Sequence, residues 1–356
     1  MSEPRAHDLL VLHDGAAGNR RQALALAERW ALPFDELALA PRAPWRWASP
    51  RRLPGAEAAF GADFAARLAK PPALAIGCGR QAALATRLLK SCGAAVLQVL
   101  HPRIALEHWD RVVLPAHDGV SGANVVTLQG SLHPIDRAWL AAQRATQPEF
   151  GALPSPRTAL FVGGPTEDSD WDAKALDAVL ELLMRWRERD GGALLVAASR
   201  RTPASMRKQL KGLLAASPEH AIVWTGEADG PNPYAPMLAW AERIVVTPDS
   251  ANLISEAAAT DAPLWIAVPR YTRGRLRGLV DAAMATGRAR PLGPDATPWP
   301  ITPWRESARV ADELKPWALA VLAAAAARRG AADGSGADQP VGAANSAADS
   351  AATGAG

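Results

Sequence analysis

Short runs of apolar residues alternate along the chain with longer stretches in which apolar positions recur three and four apart. Leu9–Val11, Leu74–Ile76, Ala95–Val99, Val112–Leu114 and Val125–Leu128 are too short for helices and apolar without interruption, the pattern of strands covered on both faces. Between them RRQALALAERW, GADFAARLAK and RQAALATRLLKS carry the helical period. The alternation stops at TQPEFGALPSPR, where proline and glycine mark a linker, and then restarts. TALFVGG, GALLVAAS, HAIVW, RIVVT and PLWIAV read as strands. WDAKALDAVLELLMRWRERD, PASMRKQLKGLLAA, PYAPMLAWAE, a stretch from Ala251 and a final pair read as helices, the second opened by Pro203. Two α/β halves of similar size predict two Rossmann-like domains facing a cleft, with ligands at the carboxyl ends of the strands. The expected division is an N-terminal Rossmann-like domain over 1–150, a C-terminal Rossmann-like domain over 157–290, a helical segment over 291–329 and a small, polar, disordered tail over 330–356.

At 356 residues the chain exceeds what one core usually supports, in keeping with two domains. A net charge of +3 is too near balance for a dedicated nucleic-acid binder, so no nucleic-acid partner is expected. Cys78 and Cys92 have no CxxC spacing and are expected to be buried thiols in a reducing compartment. The first apolar run is broken by His13 and Asp14 and is too short for a signal-peptide core, and WALAVLAAAAARR suits a packed helix better than a bilayer. The expected location is the cytoplasm.

The chemistry gathers at strand ends. HDGAAGNRRQ is a strand-to-helix turn with Gly15 and Gly18 where backbone can approach a ligand and helix N–H groups can face an anion. It has neither the GxGxxG spacing of a dinucleotide site nor the Lys-Ser/Thr pair of a P-loop, and a plain tight turn is the alternative. IGCGRQAA repeats the pattern with Gly77, Gly79 and Arg80, while LHPR and LPAHDG bring His101, Arg103, His117 and Asp118 to two further strand ends. With His13 and Asp14 these offer a general base at one cleft edge. No HxxxH or HExxH helix fixes two metal ligands on one face, so no metal is expected. In the second half FVGGPTED exposes Gly163, Gly164 and Thr166, and ASRRTP sets Ser199, Arg200 and Arg201 before a helix capped by Thr202. The arginines offer a fork for a diphosphate or are a surface pair. VVTPDSANLISEAAATDAPLWI stops a strand at Thr-Pro-Asp-Ser and starts a helix capped by Asp249 or Ser250, with Asn252, Ser255 and Glu256 in its first two turns. A phosphate at that helix start puts Glu256 within reach of ribose hydroxyls, and a capping motif with a solvated Glu256 is the plain reading.

The stretches DGAAGNRRQALALAE, GCGRQAA, QVLHPR, LFVGGPTEDSDWD, ASRRTP, NPYAPMLAWAERIVVTPDSANLISEAAATDAPLWI and RYTRGRLRGLVDAAMATGRARPL together resemble the bacterial proteins grouped with the plant mitochondrial fission protein of the elongated-mitochondria family. That family is similar to GT-B glycosyltransferases, so the resemblance implies a GT-B-like fold and a nucleotide-sugar donor, without a cofactor. It implies Gly163, Gly164 and Thr166 as the turn opening the donor domain, Asp249, Ser250 and Asn252 as the phosphate turn, Glu256 as the ribose ligand and Ser199 and Arg200 as a donor-contacting strand end. Where several GT-B enzymes carry a histidine after the first glycine-rich turn, this chain has Asn19, which leaves Asp14 or His13 as the base. The acceptor expected from envelope-building relatives is lipid-linked, or a protein, and Arg270, Arg273, Arg275 and Arg277 offer either peripheral contact with anionic headgroups or a phosphorylated acceptor at the inner membrane, or a solvated helix face. The rival reading is an inactive scaffold acting as an adaptor, with Trp45 and Trp47 in an exposed recognition patch. A nicotinamide enzyme is excluded, because neither Tyr234 nor Tyr271 has a lysine four residues on and GxGxxG is absent.

Overall fold

The computed structural model describes residues 8–216 and 220–335. The chain runs β1 (Leu9–His13), α1 (Ala17–Trp30), β2 (Asp35–Ala38), α2 (Trp45–Ala48), α3 (Ala62–Ala69), β3 (Leu74–Cys78), α4 (Arg80–Ser91), β4 (Ala95–Val99), β5 (Arg111–Pro115), β6 (Val125–Leu128) and α5 (Arg137–Thr146). It continues through β7 (Arg157–Val162), α6 (Ala173–Asp190), β8 (Ala193–Ala198), α7 (Ala204–Ala216), β9 (Ala221–Trp224), α8 (Tyr234–Trp240), β10 (Arg243–Val246), α9 (Ala251–Ala258), β11 (Leu264–Ile266), α10 (Gly274–Ala285), β12 (Ala289–Pro291) and α11 (Ser307–Ser335). The strands form two parallel six-stranded sheets, ordered β2-β1-β3-β4-β5-β6 and β12-β11-β10-β7-β8-β9. Every strand read from the apolar runs is present. The edge strands β2 and β12 were not anticipated, since DELA is half exposed and alternating and ARP has a single buried residue. Helix α11 passes the boundary expected at 329, and the expected tail from 336 on lies outside the described residues.

Alternation along each strand explains why both faces are apolar. Leu9 and Val11 pack with Ile76, Leu97, α1 and α11 on one face, while Leu10 and Leu12 pack with Ala75, Val96 and α4 on the other. In the second sheet Phe161, Val246 and Ile266 face α8, α9 and α10, and Leu160, Val196 and Trp265 face α6 and α7.

The chain crosses between the halves twice. After β6, α5 packs on α8, with Leu140 in the core around Met237 and Arg144 Nε donating to the Ala239 carbonyl at 2.7 Å. Later α11 returns to the first half, where Trp30 Nε1 donates to the Ala311 carbonyl at 2.8 Å. Both crossings run beside α9. Trp304 N–H donates to the Ala258 carbonyl, and Trp304 O meets His133 Nε2 at 3.1 Å. Burial holds the His133 imidazole neutral, with its pKa lowered to about 4.

Sheet order now locates the site. In the first sheet, β1 is followed by β2 on one side and β3 on the other, and in the second, β7 is followed by β8 on one side while β10 returns on the other. At such switch points the connections diverge and leave a crevice beyond the strand ends. These ends carry the turns at His13–Asn19, Gly77–Arg80, Gly163–Thr166 and Thr247–Asn252.

Candidate functional site

In the first domain His13 is 2% exposed, and both of its nitrogens are engaged. Nδ1 accepts the Gly15 N–H at 3.0 Å, which puts the proton on Nε2, 2.8 Å from Glu36 Oε1. Glu36 is held by Arg20 at 2.6 and 2.8 Å, and that hydrogen-bonded pairing is the main reason its pKa falls. His13 is therefore a strut for the turn. Asp14 is half-buried beyond it, its Oδ1 accepting the Ala16 N–H at 3.1 Å and its Oδ2 accepting Asn19 Nδ2 at 2.9 Å. Asn19 also closes on Gly79, where a Cβ would lie 2.8 Å from Asn19 Nδ2. Beneath them Cys78 is fully buried and its thiol is pushed far up by burial and by the charge of Asp14, so it is inert. Cys92, expected to be buried, is exposed because it caps the surface end of α4.

The opposite lip belongs to the second domain. Asp249 has no exposed side-chain surface and ties three strand ends together. Its Oδ1 accepts Thr247 Oγ1 at 2.6 Å, and its Oδ2 accepts Gly164 N–H at 3.0 Å and Arg201 Nη2 at 2.9 Å. Thr247 Oγ1 in turn accepts Gly163 N–H at 2.7 Å. Only glycine fits at these positions: a Cβ on Gly163 would lie 1.8 Å from Asp249 Oδ2, and one on Gly164 would lie 2.2 Å from the Arg201 carbonyl. Thr202 Oγ1 bonds the Gly163 carbonyl at 2.6 Å and Ser199 Oγ at 3.2 Å, so β8 is stitched to the same turn. Arg200 is exposed and Thr166 half-buried at the rim. Ser250 caps α9, its Oγ accepting the Leu253 N–H at 3.3 Å, as the sequence pattern predicts.

The two lips touch where α1 meets α9. Gly18 lies against Asn252, and a Cβ there would fall 1.8 Å from Asn252 Nδ2. In this structure Gly18 therefore brings two helices together. Asn252 Oδ1 accepts Gln22 Nε2 at 2.8 Å. Glu256 is 4% exposed, with Arg21 Nη1 2.9 Å from Oε1 and the Tyr234 hydroxyl donating to Oε2 at 2.7 Å. Burial pushes its pKa up, and the charge of Arg21 and the bonds from Tyr234 and Arg21 oppose this. Burial likewise raises the Tyr234 hydroxyl well above its ordinary range. Sequence reasoning missed Arg21, Gln22 and Tyr234, since their partners lie up to 235 residues away.

Further along the cleft, Arg275 of α10 approaches Asp118 at 3.7 Å, near His101 and His117. Burial is the largest cause lowering both imidazoles, which are neutral at pH 7. His101 repeats the His13 device, its Nδ1 accepting the Arg103 N–H at 2.8 Å, with Leu100 and Arg103 at φ of 68° and 63°. Both are left-handed without being glycine, a conformation that tends to collect at functional loops. The rest of the arginine run is not one free stripe, because Arg277 pairs with Asp281 at 2.8 Å and Arg270 stacks on Tyr271.

The family described as mitochondrial fission ELM1 matches residues 17–317. The chain belongs to the mitochondrial fission ELM1 family. It is 31% identical over 226 residues to the mitochondrial fission protein ELM1 of Arabidopsis thaliana, covering 55% of this chain and 51% of that protein. It is 24% identical over 235 residues to an uncharacterised protein, RP120, of Rickettsia prowazekii, covering 56% of this chain and 65% of that protein. The chain thus spans about half to two thirds of the length of these curated relatives. Among solved structures, the UDP-GlcNAc 2-epimerase of Methanocaldococcus jannaschii superposes with a TM-score of 0.51 at 12% identity, over 86% of this chain and 91% of that one. LpCGTa in complex with UDP superposes with a TM-score of 0.50 at 14% identity, over 90% and 93%. At these identities the likeness concerns the fold, which is GT-B-like.

Proposed function

We propose that this ELM1-family chain binds a nucleotide-sugar at the start of α9 and transfers the sugar to an acceptor hydroxyl presented by the first domain. The observation that carries the reading is that the switch-point helices of the two sheets meet, Gly18, Arg21 and Gln22 of α1 against Asn252 and Glu256 of the Ser250-capped α9, with Asp14 at the turn before α1. The donor's ribose hydroxyls would take the places of Arg21 and Tyr234 on the Glu256 carboxylate. Its diphosphate would lie against the α9 N-terminus, within reach of Arg200 and Arg201 at the rim. As the acceptor oxygen bonds to the anomeric carbon, the bond from that carbon to the diphosphate oxygen breaks. The negative charge left on the diphosphate is stabilised by the helix N–H groups and guanidinium groups. The acceptor's proton passes to Asp14, which Asn19 holds in place. The superposable LpCGTa, solved with UDP, supports this choice of donor class.

The expected result for Asp14→Asn is a loss of about a hundredfold or more in nucleoside diphosphate release from donor, with donor affinity unchanged. Full release in this variant removes Asp14 from the base role. The lipid-linked or protein acceptor expected from the sequence stays part of the proposal.

A second reading has one observation in its favour: Glu256, the ribose ligand of the first reading, is already satisfied by Arg21 and Tyr234. A cleft that closes on itself suits an inactive scaffold acting as an adaptor. Trp30, Trp109, Trp186 and Trp265 lie in the cores, and of the patch expected from the sequence Trp47 is exposed while Trp45 is half-buried.

A further inference from the structure

The loop between β2 and α3 takes no part in the donor reading. It carries Arg42, Arg46, Arg51 and Arg52, and no acidic residue stands between Glu36 and Glu57. At its tip α2 holds Trp47, 72% exposed; Leu319, at 40%, is the other exposed large hydrophobic side chain among the described residues. The exposure is built in. Trp45 Nε1 donates to the Pro54 carbonyl at 3.2 Å, Ser49 Oγ to the Trp45 carbonyl at 2.6 Å, and Arg87 Nη1 to the Pro50 carbonyl at 2.7 Å. Pro41, Ser49 and Pro50 are buried beneath it, so the loop is anchored while Trp47 stands clear. Arg52 is paired with Glu57, whereas Arg42, Arg46 and Arg51 are exposed, with no acidic partner among the described residues.

Uncompensated like charges around an exposed indole cost the free protein repulsion and apolar hydration. Both are relieved against an anionic surface that has an apolar layer beneath it. We propose that the 41–52 loop is a membrane-docking tip, in which Trp47 enters the interface of a bilayer containing anionic phospholipid while Arg42, Arg46 and Arg51 pair with its headgroups. A protein partner is less suited to this tip. Protein hot spots gather several apolar anchors in a packed centre, and here one indole stands alone among guanidinium groups. None of Arg42, Arg46, Trp47 and Arg51 is a residue of the nucleotide site, so the success or failure of this proposal leaves the donor reading untouched. It also moves the membrane contact away from Arg270–Arg277, whose members are partly paired inside the protein.

The test is flotation of the full chain with phosphatidylcholine vesicles, with and without phosphatidylglycerol, alongside tryptophan quenching by brominated lipid. The chain should float with the anionic vesicles alone and be released by high salt. Affinity should fall about fivefold for each of Arg42→Ala, Arg46→Ala and Arg51→Ala. Trp47→Ser should abolish most of the quenching, and Arg277→Ala should change nothing. These substitutions are at exposed positions, and unchanged thermal unfolding verifies that the fold is kept. Absence of flotation, as expected for an acidic protein partner, would overturn the proposal, and so would equal flotation of Trp47→Ser and the triple arginine variant.

Discussion

Asp249→Asn is expected to destabilise the second domain by about 3 kcal/mol, because a buried carboxylate surrounded by donors cannot be replaced by an amide. The carboxylate accepts from the Thr247 hydroxyl, the Gly164 N–H and Arg201. An asparagine that keeps its oxygen on the Gly164 N–H and Arg201 turns its NH2 to Thr247 Oγ1, whose own proton then loses its acceptor, and Arg201 loses its anionic partner. Gly163 leaves no slack, since even a methyl group there would overlap the same carboxylate. Arg201→Ala should cost much less, about 1 kcal/mol, because that guanidinium is half exposed and screened. Urea unfolding of the two variants checks the contrast. Equal and small losses would mean that the three strand ends hold together without Asp249.

Arg288→Met is expected to cost about 3 kcal/mol as well, although Arg288 takes no part in the proposed donor site. Arg288 is 1% exposed and its guanidinium donates to the carbonyls of Ala258 at 2.7 Å, Ala257 at 2.9 Å, Ala262 at 3.0 Å and Thr260 at 3.1 Å. These belong to the last turn of α9 and the chain just beyond it, where a cation also opposes the negative end of the helix dipole. Burial lowers its pKa to about 10, which still leaves it charged at neutral pH. Methionine matches much of the apolar stem and leaves the carbonyls unpaired. Arg288→Lys should recover only part of the loss, because an ammonium cannot reproduce the planar fork. Thermal and urea unfolding give the measurement. If Arg288→Met were as stable as the parent, α9 would not depend on this clamp.

These two residues mark the limit of what the sequence makes legible. Strands buried on both faces are readable because their apolar runs are local, and the Ser250 cap is readable because donor and acceptor stand three residues apart. Strands β2 and β12 carry no such run, since DELA alternates half-buried with exposed residues and ARP has a single buried residue. Gly163 and Gly164 can be recognised as a close-approach turn, but what approaches them, Asp249 and the Arg201 backbone, cannot. Gly18 looks like a ligand-facing glycine and instead faces Asn252 across the two domains. His13 and Asp14 are indistinguishable as bases by position. Packing separates them by spending both His13 nitrogens on Gly15 and Glu36. Glu256 reads as a ligand or as a solvated residue, and it is neither solvated nor free, because Arg21 and Tyr234 reach it from distant elements.

The Glu256 carboxylate decides where the donor binds. Isothermal titration of the full chain with UDP, GDP, CMP and ADP and their sugars, repeated on Glu256→Ala, tests it directly. The expected result is saturable binding of one nucleotide class, at about micromolar affinity, weakened at least tenfold in Glu256→Ala. Binding that Glu256→Ala leaves unchanged would contradict the placement of the donor, and no binding across the whole series would contradict the donor itself and leave the self-satisfied scaffold as the reading of this cleft.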